Sequence, residues 1–174
     1  CFPALALGLE KSERDIMTRP PRDPKDGIFA DGMGPEIAFQ GIIITALTLL
    51  SYFVGDYLET GMWRIVNSAD GMTMAFLTLS LVEMFHSFNM RSRHNSVFAM
   101  KEQNKWLWAA LIGSFICTTL VVYVPFLASA FDFQEISFRE FAVAVGLAVS
   151  ILPIVELEKV FLRAADKKKT PKNN

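Results

Sequence analysis

Only two cysteines occur in the 174 residues, Cys1 and Cys117, and the second lies in the middle of an apolar run. That usage excludes a disulfide framework. The chain also lacks a Gly-rich phosphate loop, a nucleotide-binding fingerprint and an Asp-Lys-Thr-Gly phosphorylation sequence, so it carries no ATP-hydrolysing centre of its own. Seventeen Lys and Arg against eighteen Asp and Glu leave a net charge of -1, and no nucleic-acid partner is expected. The opening stretch, Cys-Phe-Pro-Ala-Leu-Ala-Leu-Gly-Leu, lacks a basic front and is too short in its apolar part for a secretory signal. A start on Cys rather than Met suggests a piece of a longer protein.

Charge is scarcest where it matters most. Glu36 and Asp56 enclose 19 uncharged residues, and Lys105 and Asp132 enclose 26. Asp70 and Arg91 enclose 20, interrupted by Glu83 alone. A bilayer core of ~30 Å needs about 20 mostly apolar helical residues, and runs of this length point to a multi-pass membrane protein. The expected spans are 37–55, 71–90, 106–128, and a fourth from Phe138 or Phe141 through Pro153 to about residue 162. Pro153 should leave a carbonyl unpaired one turn earlier and kink that last helix. The other possibility is that the helix leaves the membrane at Val155.

Basic residues set the orientation. Residues 1–36 carry five Lys and Arg, the 91–105 loop four and the C-terminal end six, while the two other loops hold Arg64 and Arg139 alone. Fifteen against two is a positive-inside pattern with both termini cytoplasmic. Tyr57, Trp63, Trp106 and Trp108 fall at the expected interfaces. The fold expected is therefore an all-α membrane protein: a cytoplasmic N-terminal loop over 1–36, four transmembrane helices over 37–163, and a basic cytoplasmic tail over 164–174. Within the first segment, Arg19-Pro20-Pro21-Arg22-Asp23-Pro24-Lys25-Asp26-Gly27 reads as an ordered or semi-rigid loop, because prolines remove donors and bias their predecessors to extended geometry. The Lys167-Lys168-Lys169 run reads as a solvated stop near anionic lipid.

One residue stands apart chemically. Glu83 lies eight residues inward of Arg91, or about 12 Å at 1.5 Å per residue. A lone carboxylate at that depth costs at least about 2.5–3.5 kcal/mol. It must face protein or water, be protonated, or coordinate a cation. Ser80 and Ser87 share its helical face, and oxygen ligands suit a hard cation such as calcium. A protonated Glu83 tied to a neighbouring helix remains the alternative. His86 is expected to pack, since calcium does not favour imidazole. Glu156 and Glu158 sit where they can reach headgroups or pair with Lys159 and Arg163.

Two stretches carry a resemblance. Phe2-Pro3-Ala4-Leu5-Ala6-Leu7-Gly8, then Asp15-Ile16-Met17, then Arg19-Pro20-Pro21-Arg22, resembles the loop after the sixth membrane helix of P-type calcium-transporting ATPases. Leu81-Val82-Glu83-Met84-Phe85-His86-Ser87-Phe88-Asn89 resembles the eighth helix of that family, and the last two spans resemble its ninth and tenth. The resemblance implies that Glu83 matches a glutamate contributing to a calcium site in the sarcoplasmic-reticulum-like branch. It implies that residues 9–27 link the membrane part to the phosphorylation domain. Glu13 and Asp15 fall where that branch has aspartates, whereas Thr18 replaces a third. Mg-ATP would be used by the parent protein outside this chain. The partners implied are the remaining membrane helices, the phosphorylation domain and the lipid bilayer, in a cell membrane expected to be bacterial. The competing reading is a self-standing four-span assembly or regulatory subunit with Glu83 as a buried polar tie.

Overall fold

The computed structural model describes residues 2–12, 17, 21, 25, 27, 29–30, 32–63, 67–93, 95–97 and 103–169, the last five of these by backbone alone. The described residues form helices joined by turns and loops, with no strand among them: α1 (Phe2–Leu7), α2 (Met33–Thr60), α3 (Ala69–Asn89), α4 (Lys105–Tyr123), α5 (Pro125–Ala130), α6 (Phe138–Val149) and α7 (Ile151–Lys169).

Among the described residues, three units are long and apolar enough to cross a membrane: α2, α4, and α6 with α7 taken together over Phe138–Ala164. The second expected span, 71–90, is a helix of 21 residues but falls short in apolarity. Its position explains why. α3 buries eleven side chains or glycines, whereas α2 buries Ser51, Gly55 and Asp56, and α4 buries Leu107, Thr118 and Val122. A helix surrounded by others can carry Thr73, Thr78, Ser87 and Asn89, because neighbouring helices and its own backbone receive their hydrogen bonds. The outer helices instead turn Ile42, Leu49, Ile112, Ile116 and Leu120 outward, as lipid contact requires.

The core gathers Met74, Leu77, Leu81 and Val82 of α3 with Val122 of α4, Ala144 and Ala148 of α6, and Ile151 and Val155 of α7. α2 crosses α3 at two glycines. A Cβ on Gly71 would stand 2.7 Å from the Tyr52 carbonyl, and one on Gly55 would stand 2.9 Å from the Gly71 Cα. Beside this contact Ser51 Oγ lies 2.6 Å from Thr78 Oγ1 and donates to the Met74 carbonyl at 3.1 Å. Small residues let the backbones approach, and the hydroxyls tie them across.

Several boundaries depart from expectation for identifiable reasons. α2 begins at Met33 because Pro35 sits in the first turn, where its missing N–H is harmless, and it runs on to Thr60 through the polar Asp56 and Glu59. Gly61, at φ 71°, ends it by donating to the Tyr57 carbonyl at 2.7 Å. The third expected span stops at Tyr123, since Pro125 forces Val124 into an extended conformation before α5 begins. The fourth breaks at Ser150, one turn ahead of Pro153, and then continues helical to Lys169. Within 1–36, α1 and the first turn of α2 are helical. Most of 13–28 lies outside the described residues, including Glu13, Asp15, Thr18 and most of the proline-rich loop, as do the side chains of the basic tail.

Candidate functional site

α3 leaves one stripe uncovered. Met72, Leu79 and Glu83 of α3, with Met90 just past its end, are exposed at helical spacing along one face. Glu83 therefore points away from α2, α6 and α7 into an open groove of about 300 Å³. The groove is walled by Pro3, Ala4 and Leu7 of α1 and by Ser114 of α4, with Ser80, Met84, His86, Ser87 and Met90 along its floor. Ser80 and Ser87 do share the Glu83 face, although the Ser87 hydroxyl is engaged, donating to the Met84 carbonyl at 2.6 Å. His86 also reaches this groove, and its Nδ1 is enclosed without a hydrogen-bond partner. Among the described residues no three His, Cys, Asp or Glu side chains converge as a metal cluster. Glu83 offers a single carboxylate, and any full oxygen shell needs donors from elsewhere.

The wall formed by α1 is held by ion pairing at the end of the bundle where α3 stops. Glu10, three residues after α1, accepts from Arg91 Nε at 3.2 Å and from Arg91 Nη2 at 2.8 Å. The Arg91 side chain is 1% exposed, so this pair is enclosed. Asn104 Nδ2 donates to Glu10 Oε2 at 2.7 Å and to the Ala6 carbonyl at 3.0 Å. Arg93 reaches Glu36 at the start of α2, with Nε 2.9 Å from Oε2. Lys159 of α7, 3% exposed, donates to the main-chain oxygens of Asn89 and Asn95 and pairs with Glu156. Glu156 in turn accepts from the Val97 N–H at 2.9 Å. The α3–α4 connection is thus gripped from the N-terminal segment, from α2 and from α7.

Of the residues singled out in the sequence, Glu83 with its serines lies in the groove and Glu156 pairs with Lys159. Glu158 accepts from Gln40 of α2 at 2.8 Å instead of joining that pair. Glu10, Arg91 and Asn104 carried no sequence signal: 81 residues separate the first two, and no period links them. The opposite end of the bundle is acidic. Asp70, one residue ahead of the 71–90 stretch, has its carboxyl raised by burial, and Glu59 and Glu140 nearby raise it further.

Residues 1–161 match the family model described as cation transporting ATPase, C-terminus. The chain is 33% identical over 172 residues to calcium-transporting ATPase 1 of Bacillus cereus, covering 92% of this chain and 19% of that protein. It is 33% identical to a calcium-transporting ATPase of Bacillus subtilis, over 84% of this chain and 16% of the relative. It is 29% identical to the calcium-transporting ATPase type 2C member 1 of Bos taurus, over 97% of this chain and 17% of the relative. The chain spans less than a fifth of the length of these relatives, and a self-standing subunit is not the reading they favour. An all-helical, multi-pass chain that matches this model over nearly its whole length belongs to the C-terminal region of the P-type cation-transporting ATPases.

Proposed function

We propose that this chain is the C-terminal membrane part of a calcium pump, that it buttresses the transport helices, and that Glu83 is one ligand of the transported ion. The observation that carries this reading is the placement of Glu83. The most buried helix of the bundle keeps its one mid-helix carboxylate on the stripe that the other described residues leave open. In hydrocarbon that stripe would be costly, so further helices must cover it, and they would bring the remaining oxygen donors. The relatives are named as calcium-transporting, which favours calcium as the ion. Residues 9–27 would connect the membrane part to a phosphorylation domain of the same protein, where Mg-ATP would be used. Both termini would face the cytoplasm.

The test is Glu83→Gln in the full-length protein. The amide keeps size and one oxygen but removes the charge that a hard dication prefers. Calcium activation of phosphorylation should shift to higher concentration or lose a binding step, with expression nearly normal. An unchanged calcium titration in well-folded protein would refute the ligand role.

A further inference from the structure

The groove that holds Glu83 has α1 as one of its walls. α1 packs Ala6 against Phe88 of α3 and Leu107 of α4, and a turn over residues 8–9 follows it. Polar contacts hold its C-terminal end as well, beside Ser80, Glu83 and Ser87. Two such attachments stand out among the described residues, and both come from the α3–α4 connection. Arg91 forks onto Glu10, and Asn104 bridges Glu10 and the Ala6 carbonyl.

Asn104 performs two tasks with its two amide atoms. Its Oδ1 accepts from the Leu107 N–H at 3.1 Å and caps α4, while its Nδ2 holds α1. The same side chain thereby sets the separation of α1 from α4, the two helices that contribute Ala4 and Ser114 to the groove. Arg91 ties the same carboxylate to the C-terminal end of α3, eight residues from Glu83. All three helices lining the groove meet at one acidic side chain.

We infer that Glu10 is a positioning residue which, clasped by Arg91 and Asn104, fixes α1 as the wall of the Glu83 groove and so sets the geometry in which Glu83 meets a cation. This inference rests on the ligand role proposed for Glu83, and the experiment separates the two. The informative variant is Asn104→Asp. Aspartate is a good N-cap, so α4 keeps its first turn, but the donor facing Glu10 becomes an acceptor that repels it.

Ser80→Cys, in an otherwise cysteine-free full-length protein without calcium, reports the opening of the groove through its rate of modification by methyl methanethiosulfonate. Asn104→Asp should raise that rate roughly tenfold, in line with breaking one partner of an enclosed charged contact. It should raise the half-activating calcium concentration for phosphorylation by about fivefold or more, with the level at saturating calcium unchanged. A general loss of structural integrity would lower the saturated level instead. Unchanged Ser80→Cys modification would overturn the clasp. Faster modification with no calcium shift would also overturn it as a device serving the site, provided Glu83→Gln does shift the titration. If Glu83→Gln leaves the titration unchanged, faster modification still establishes the clasp, and it is the ligand role that falls. Should Asn104→Asp fail to accumulate, Asn104→Ser keeps a capping oxygen, lacks the amide donor, and supplies the same two readouts.

Discussion

Lys159 Nζ donates to the main-chain oxygen of Asn89 at 2.9 Å, so an ammonium group from α7 caps the last turn of α3. The carbonyls that end a helix have no partner within it, and the negative end of the helix dipole favours a cation there. Lys159 is enclosed and its partner Glu156 is nearly so, which makes the pair costly to break from one side. Lys159→Met should therefore destabilise by about 3–5 kcal/mol, read as unfolding of the detergent-solubilised protein. Lys159→Met with Glu156→Gln should cost less than the sum of the single changes, because the amide oxygen can still accept from Val97 without stranding a charge. Additive losses would show that the two residues do not act as a pair.

The crossing of α2 and α3 gives a second expectation. Gly71→Ala would set a methyl 2.7 Å from the Tyr52 carbonyl, a backbone atom that cannot swing aside. The helices must part, pulling Ser51 from Thr78, and overpacking of this kind costs about 1–3 kcal/mol or more. Gly146→Ala in α6 is the control: nothing lies within 4 Å of the added carbon. It should be neutral or slightly stabilising, since alanine is the better helix former. Equal effects of the two changes on thermal unfolding would count against a close glycine crossing.

How much of this was legible in the sequence differs from element to element. Uncharged runs locate α2 and α4, and a shorter one over 141–155 locates the middle of the α6–α7 pair, because exclusion of charge is a strong one-dimensional signal. The break at Val124 is written in Pro125, but inside an uncharged run of 26 residues the apolar signal outweighs a single proline. α3 is recognisable as a helix, yet its low apolarity reflects its central position, which only packing reveals. Glu83 stands out because a carboxylate inside an apolar run is costly wherever that run folds. Arg91 and Glu10 do not stand out. Each is one of many charged residues flanking the spans, and their partnership depends on how α1 returns to the end of α3.

Acidity at the other end of the bundle predicts a pH dependence. Burial comes first in raising the Asp70 carboxyl above its ordinary value, followed by repulsion from Glu59 and Glu140. For an acid whose folded pKa is raised, the folded state holds the proton more tightly than the unfolded chain does. Its penalty is absent below the unfolded value of 3.8 and grows as pH rises through the folded pKa, reaching its full size above it. Asp70→Asn should therefore gain most, relative to the natural residue, near neutral pH, and the difference should shrink on acidification. Asp70 also stands in the first turn of α3, where a negative charge is favourable, so the pH trend and not the neutral-pH value is the diagnostic. A pH-independent difference in unfolding temperature would refute the assignment.

The last prediction concerns which way the bundle faces. Ion pairs bring Glu10, Glu36, Arg91, Arg93 and Lys159 to one end. At the other end Ser68 N–H donates to the Tyr52 hydroxyl at 3.0 Å, and Gln134 N–H donates to the Thr73 hydroxyl at 3.1 Å. Two sets of connections at opposite ends are what an alternating membrane path requires, and the first end is the one rich in Lys and Arg. By the positive-inside rule that end is expected to face the cytoplasm. Gly61→Cys lies at the end of α2 and Ser129→Cys in α5, and both should react with an impermeant thiol reagent applied from the non-cytoplasmic side. Ser96→Cys, in the connection clasped by Glu156 and Lys159, should react only after the membrane is opened. If Ser96→Cys labels in intact cells and the other two do not, the bundle is inverted. Labelling of Gly61→Cys and Ser96→Cys from the same side would go further and show that α3 does not cross the membrane, leaving the three more apolar units as the only spans.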